Sequence, residues 1–213
     1  MKKPAAKYYS PLEEQINIIS HKLGILLSAI ALLLLVWRGL EHGSAYHIIS
    51  FSIFGFTLLS LYIASTIYHS SQEPARRAHL RIFDHASIYA LIAGTYTPYS
   101  LVTLQGRAGW MIFGLSWGIA LLGITLKIFF TGRFKIISTL IYVFMGWIII
   151  FALKPLLANL APAGVFWLFA GGLSYTLGAI LYGIRPLPLN HALFHILVLV
   201  GSFCHFISIY FYV

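Results

Sequence analysis

Seven long apolar stretches, separated by short segments of charges and turn formers, run through this chain. They are Ile16–Trp37, Ala45–Tyr68, Ile82–Leu104, Ala108–Leu126, Ile136–Leu153, Ala163–Ile184 and Leu189–Val213. A helix needs about 20 mostly apolar residues to cross a hydrocarbon layer roughly 30 Å thick. Seven such helices consume about 140 of the 213 residues and leave eight tails and loops of about nine residues each. No soluble domain of ordinary size fits into that remainder. Composition agrees: 60% of residues are hydrophobic and 9% charged, against roughly 45–50% and about 25% in soluble domains. A cytosolic enzyme, a nucleic-acid binder and a disordered chain are excluded. The expectation is an all-α membrane protein, residues 1–213 forming a single seven-transmembrane helix bundle behind a short tail of about 15 residues.

Charge sets the orientation. Alternating the seven spans puts Lys2, Lys3, Lys7, Lys22, Arg76, Arg77, Arg81, Lys127, Arg133, Lys135 and Arg185 on one side. Only Arg38, Arg107 and Lys154 fall on the other. Short loops are where the positive-inside rule holds best, so the N-terminus is expected in the cytoplasm and the C-terminus outside. The net charge of +9 is then topological and directed at anionic headgroups, not at nucleic acid. The first apolar run lacks a small-residue cleavage site and is expected to be retained as a helix rather than removed as a signal. Trp37, Trp110, Trp147 and Trp167 suit interfacial anchoring. The lone cysteine, Cys204, rules out an intramolecular disulfide.

Against this background the polar residues inside or near the spans stand out. Four of the five acids, Glu13, Glu14, Glu41 and Glu73, fall in tails or loops; only Asp84 opens a span. A carboxylate near hydrocarbon is costly unless paired or facing a wet cavity. Asp84 therefore either caps its helix or pairs with Arg81, or it serves a site. His191 and His195 are four residues apart in an apolar helix, on one face. Ser65 and His69 have the same spacing at the end of the second span. The second helix ends, and the third and seventh begin, on the cytoplasmic side. His69, Asp84, His191 and His195 thus lie at similar depth, although the three histidines span 126 positions of sequence.

Three imidazole nitrogens with a fourth position open are the ligand set of catalytic zinc, which lowers the pKa of water to about 7. Asp84 could orient that water or take its proton, and Ser65 could bond an oxyanion. Without paired carboxylates or thiolates, calcium and iron–sulfur sites are disfavoured, and zinc leads among nitrogen-loving metals by availability. His21, His42, His47 and His79 are expected at helix ends or in loops in interfacial roles. His85 points about 100° from Asp84 and His205 lies about 15 Å deeper than His195, so neither is expected to ligate.

Ser65-x-x-x-His69, Phe83-Asp84-His85 leading to Ala93-Gly94-Thr95-Tyr96-Thr97-Pro98, and Asn190-His191-x-x-x-His195 resemble the signatures of the hemolysin III family. Gly171-Gly172-Leu173-Ser174-Tyr175-Thr176-Leu177-Gly178 fits the same pattern. That family is the bacterial branch of the progestin-and-adipoQ receptors, which include the adiponectin receptors. The resemblance covers the chain from about Glu13 onward. It implies a seven-helix bundle with a cytoplasmic N-terminus in the bacterial inner membrane. It also implies Zn2+ held by His69, His191 and His195, with Asp84 reaching the metal through water and Ser65 completing the polar shell. The alkaline ceramidases, a related group, use a similar arrangement to hydrolyse lipid amides, and bacterial members of the family look linked to membrane-lipid homeostasis.

Three functions remain open on the sequence. The first is a zinc-dependent hydrolase of lipid amides or esters near the cytoplasmic leaflet, with membrane lipids as partners and a fatty acid or acyl lipid in the bundle cavity. The second is a zinc-stabilised, non-enzymatic lipid sensor. The third is a hemolysin or pore former, which the lack of a repeated polar stripe disfavours.

Overall fold

A computed structural model describes residues 7–131, 135–184 and 187–213. Lys2, Lys3, Arg133 and Arg185 of the charge count, and Pro186, lie outside them. Among the described residues there are helices and no strand. The helices are α1 (Pro11–His42), α2 (Ala45–Ser70), α3 (Pro74–Pro98), α4 (Gly106–Phe130), α5 (Lys135–Gly146), α6 (Leu153–Asn159), α7 (Pro162–Gly183) and α8 (Asn190–Tyr212). A π-helical segment, Tyr99–Leu104, continues α3, and a 3-10 segment, Ile148–Ala152, joins α5 to α6.

Six helical segments are long and apolar enough to cross a membrane: α1, α2, α4, Ile136–Asn159, α7 and α8. The protein is an integral membrane protein. α3 is not among the six. It begins eight residues before the expected Ile82, and its opening turns carry Arg76, Arg77, His79, Arg81, Asp84 and His85.

Local chemistry explains the helix ends and breaks. Ser10 caps α1 by accepting the Glu13 N–H at 3.3 Å, and Pro11 opens the first turn. Gly43, at φ 66°, closes it in the left-handed conformation a glycine adopts freely. Pro98 and Pro155 each lack an N–H and crowd the carbonyl four residues back, so regular α-geometry is lost around them. Tyr96 stabilises the second break, its hydroxyl donating to Gly146 O (2.6 Å) and accepting from Ile149 N (3.4 Å).

The bundle closes nearly in chain order: α1 packs on α2, α2 on α3, α3 on α4, α5 bridges α3, α4 and α7, and α7 packs on α8, which returns to α1. Its exterior is apolar, unlike that of a soluble protein, and polar groups are buried beside an apolar core. Leu33, Ile136 and Phe151 are more than 70% exposed, while Asn17, His69, Arg77 and Ser116 are fully buried. Lipid solvates the outer apolar faces, so the interior is free to hold polar groups. Small residues set the close approaches. A Cβ on Gly94 would come within van der Waals overlap of Thr57, and one on Gly201 would meet the Tyr175 ring.

Candidate metal centre and its cavity

The i, i+4 spacings act as the sequence requires. The last turns of α2 carry Ser65 and His69 on one face, and the first turns of α8 carry His191 and His195. All three histidines are buried, and each offers a ring nitrogen within 4.8 Å of the others. His69 Nε2 and His191 Nε2 are 3.2 Å apart. Two nitrogens bound to one tetrahedral zinc stand about 3.3 Å apart at ordinary Zn–N lengths.

Tautomer chemistry supports the same fit. Nδ1 of His69 lies 2.7 Å from Glu14 Oε2. With its proton donated to that carboxylate, Nε2 keeps its lone pair aimed at His191. The Nδ1 atoms of His191 and His195 are buried and make no regular hydrogen bond, and the His195 ring approaches the Asn17 backbone. These donors fit a divalent nitrogen-binding metal, and a carboxylate behind a ligating imidazole is the usual outer partner of such sites.

Asp84 reaches the same region from α3. It is 8% exposed, within electrostatic range of His69, and 3.9 Å from His85 Nε2. Ser65 lies beside Asp84, its hydroxyl buried and without a regular hydrogen bond. His85 lines the same cavity without joining the three-histidine cluster. His205 lies farther along the same cavity, as its depth on α8 requires. His42 and His47 stack on each other at the α1–α2 turn, and His79 is tied to Ala75 O on the surface.

α1 departs from expectation. Glu13 and Glu14 belong to its first turn rather than to a loose tail, and His21 lies buried inside the helix rather than at its end. The spacing Glu13-x-x-x-Asn17-x-x-x-His21 puts all three on the buried stripe of α1. Glu13 Oε1 accepts the His191 N–H at 3.0 Å. It thereby caps α8, whose own cap residue, Leu189, is left-handed (φ 56°) and supplies no side-chain bond. His21 lies flat on His195, ring centroids 3.7 Å apart and planes 11° apart. Both its ring nitrogens, and both side-chain polar atoms of Asn17, lack hydrogen-bond partners. The polar repeat at every fourth residue was the available signal, hidden because each residue taken singly suits a helix end.

Tyr9, ahead of α1, stacks on His191 at 4.4 Å and covers the centre from the N-terminal side. Burial, reinforced by Tyr182 and Tyr68, pushes its phenol far above the ordinary range, so it remains neutral. Arg77 locks the same corner. It donates to Lys7 O, Tyr68 O, His69 O and Ser71 O and pairs with Glu14.

From this polar end a cavity of about 150 Å³ extends between α2, α3, α4, α5, α7 and α8, with His21 of α1 also on its wall. Leu61, Ile88, Leu91, Ile92, Phe194 and Val198 supply apolar wall. The arrangement is a deep nitrogen-ligand cluster with a carboxylate and a hydroxyl beside it, at one end of a channel suited to hydrocarbon.

Comparison with known proteins agrees with the sequence signatures. The family described as "Haemolysin-III related" matches residues 9–206. Hemolysin-3 of Bacillus cereus is 45% identical, the alignment covering 94% of this chain and 92% of that protein. The Hemolysin-3 homolog of Bacillus subtilis (strain 168) is 46% identical over 94% of both. The human Monocyte to macrophage differentiation factor is 28% identical over 75% of this chain and 68% of its own length. No solved structure matches. A match running through all three clustered histidines and most of the bundle makes this chain a member of the haemolysin-III-related family.

Proposed function

We propose that the chain is a zinc-dependent hydrolase of lipid amides or esters, working near the cytoplasmic leaflet of the bacterial inner membrane and serving membrane-lipid homeostasis. The observation that carries this reading is the meeting of His69, His191 and His195 with Asp84 and Ser65 at the end of an apolar cavity. In this reading α3 and its π-helical continuation form a seventh span, Pro74–Leu104. The charge distribution then puts the N-terminus and the metal centre on the cytoplasmic side.

His69, His191 and His195 would hold the metal, and Glu14 would fix the His69 tautomer. Zinc in such a site supplies Lewis acidity toward a carbonyl and lowers the pKa of water. The Asp84 carboxylate accepts the proton of the attacking water and returns it to the leaving group. The Ser65 hydroxyl donates to the developing oxyanion. The cavity wall holds the acyl chain and keeps bulk water away from the scissile bond.

The test is fatty-acid release from a panel of lipid amides and esters by purified, zinc-replete protein, with Asp84→Asn beside it. Turnover by the wild type, abolished in a variant that retains its zinc, is the expected result. A fully metallated wild type that releases nothing from the panel overturns the hydrolase.

A second reading is favoured by one feature. Glu13 and Glu14 link α1 to α8 and α2 at the histidine cluster, so a metal there would tether α2 to α8 where α1 already joins both. That suits a zinc-stabilised lipid sensor. A lipid response that survives Asp84→Asn would select it.

A further inference from the structure

Lysine near the end of a membrane helix ordinarily stretches its chain toward water and headgroups. Lys127, in the last turn of α4, does the opposite. It is 5% exposed and lines the cavity that begins at the histidine cluster. Its Nζ donates to Ser138 Oγ at 2.7 Å and lies 5.8 Å from the centre of the Tyr142 ring. Both partners are neutral.

The chain's five acids are all among the described residues, and none pairs with this cation. Glu41 pairs with Arg38, Glu14 with Arg77 and His69, and Asp84 approaches His85. Glu13 is committed to the α8 N-terminus, and Glu73 precedes α3 on the surface. Among the described residues the ammonium faces a hydroxyl and a ring, which leave most of its desolvation cost uncompensated. One of its three N–H donors is used by Ser138, leaving donors for whatever enters the cavity. Arg81 adds a second positive charge within electrostatic range of Lys127. Tyr142 connects this station to the metal end, since its hydroxyl donates to His85 O at 3.0 Å.

We infer that Lys127 is the oxyanion subsite of the cavity, taking the carboxylate or phosphate of an anionic amphiphile whose hydrocarbon chain lies along the apolar wall. This rests on the hydrolase reading only for its substrate class: the acyl linkage would sit at the histidine cluster, and the leaving group would carry the oxyanion. Neutral lipids of equal chain length would be discriminated against, because they leave the buried ammonium unpaired.

The test is a binding measurement and needs no turnover. Purified protein in neutral detergent is titrated by calorimetry with oleyl phosphate, oleate and oleyl alcohol, which share one chain and have no acyl bond to cleave. Wild type should bind at least one of the anions about ten-fold or more tightly than the alcohol, as expected for a charge-assisted bond in a buried site. Lys127→Met, close in volume, should lower that anion to the level of the alcohol and leave alcohol binding unchanged. Lys127→Arg should preserve the preference, which separates lost charge from a damaged fold. Tighter oleyl phosphate assigns a phosphate headgroup; tighter oleate assigns a carboxylate.

Equal binding of all three probes to wild type overturns the subsite. So does an anion preference that survives Lys127→Met but disappears in His191→Ala/His195→Ala, since the metal centre is then its source. Hydrolysis of neutral lipid amides without any anion preference would leave the proposed function standing and remove this subsite alone. An anion preference in a protein that hydrolyses nothing would do the reverse.

Discussion

Glu14 Oε2 lies 2.7 Å from His69 Nδ1, and its other oxygen pairs with Arg77. One carboxylate of α1 thus holds a candidate metal ligand of α2 in its donor tautomer and is itself held by a guanidinium from α3. Glu14→Ala should lower zinc affinity by about 10- to 100-fold, the usual effect of removing an outer carboxylate from a ligating histidine. Glu14→Gln, whose amide oxygen still accepts from Nδ1, should lose less. Competition for zinc against a chelator of known affinity measures both. Unchanged affinity in Glu14→Ala would show that the tautomer is set by another group.

Arg77 carries the heaviest structural duty near the site. It is completely buried, and four backbone carbonyls from Lys7 and the end of α2 converge on it. Arg77→Met leaves those carbonyls and Glu14 without their partner, a change that costs about 3–5 kcal/mol in comparable buried pairs. Arg77→Lys should recover little, because a single ammonium cannot serve the forked arrangement. Thermal unfolding in detergent at fixed zinc should therefore show both variants well below wild type. A lysine variant as stable as wild type would refute the forked requirement.

The part of this architecture legible in the sequence is the part governed by hydropathy and by single-helix spacing. Apolar runs located six of the membrane helices, and His69 of one i, i+4 pair does meet His191 and His195 of the other. Orientation of a whole stripe across helices was not legible. Glu13 and Glu14 looked like a solvated tail because acids near a helix start usually serve its own dipole; here Glu13 serves the N-terminus of α8, 178 residues away. Arg77 and Lys127 entered the charge count as loop cations, yet each turns inward. Such choices depend on which buried carbonyl or cavity lies opposite, and a one-dimensional pattern does not contain that. α3 failed the apolar test for a related reason, since Arg77, Arg81 and Asp84 turn into the bundle while Arg76 and His79 lie exposed in its opening turns.

His21 provides the sharpest check on the α1 stripe. Its ring covers one face of His195, and the Tyr62 ring meets it edge-on with centroids 5.1 Å apart. The contact restricts the rotation of a candidate ligand whose Nδ1 makes no regular hydrogen bond. His21→Ala removes that restraint and opens space beside His195, so zinc affinity should fall several-fold and the protein should lose about 1–3 kcal/mol of stability. His21→Phe restores a flat ring without a nitrogen. If His21 only positions His195, the phenylalanine variant should bind zinc as wild type does. If His21 contributes a nitrogen to the metal, both variants should lose affinity alike. Chelator competition on the two variants, with zinc content measured per chain, decides between a stacking support and a fourth donor. The 11° angle between the rings favours support, because two imidazoles stacked face to face hold their lone pairs in nearly parallel planes that do not meet at one metal position.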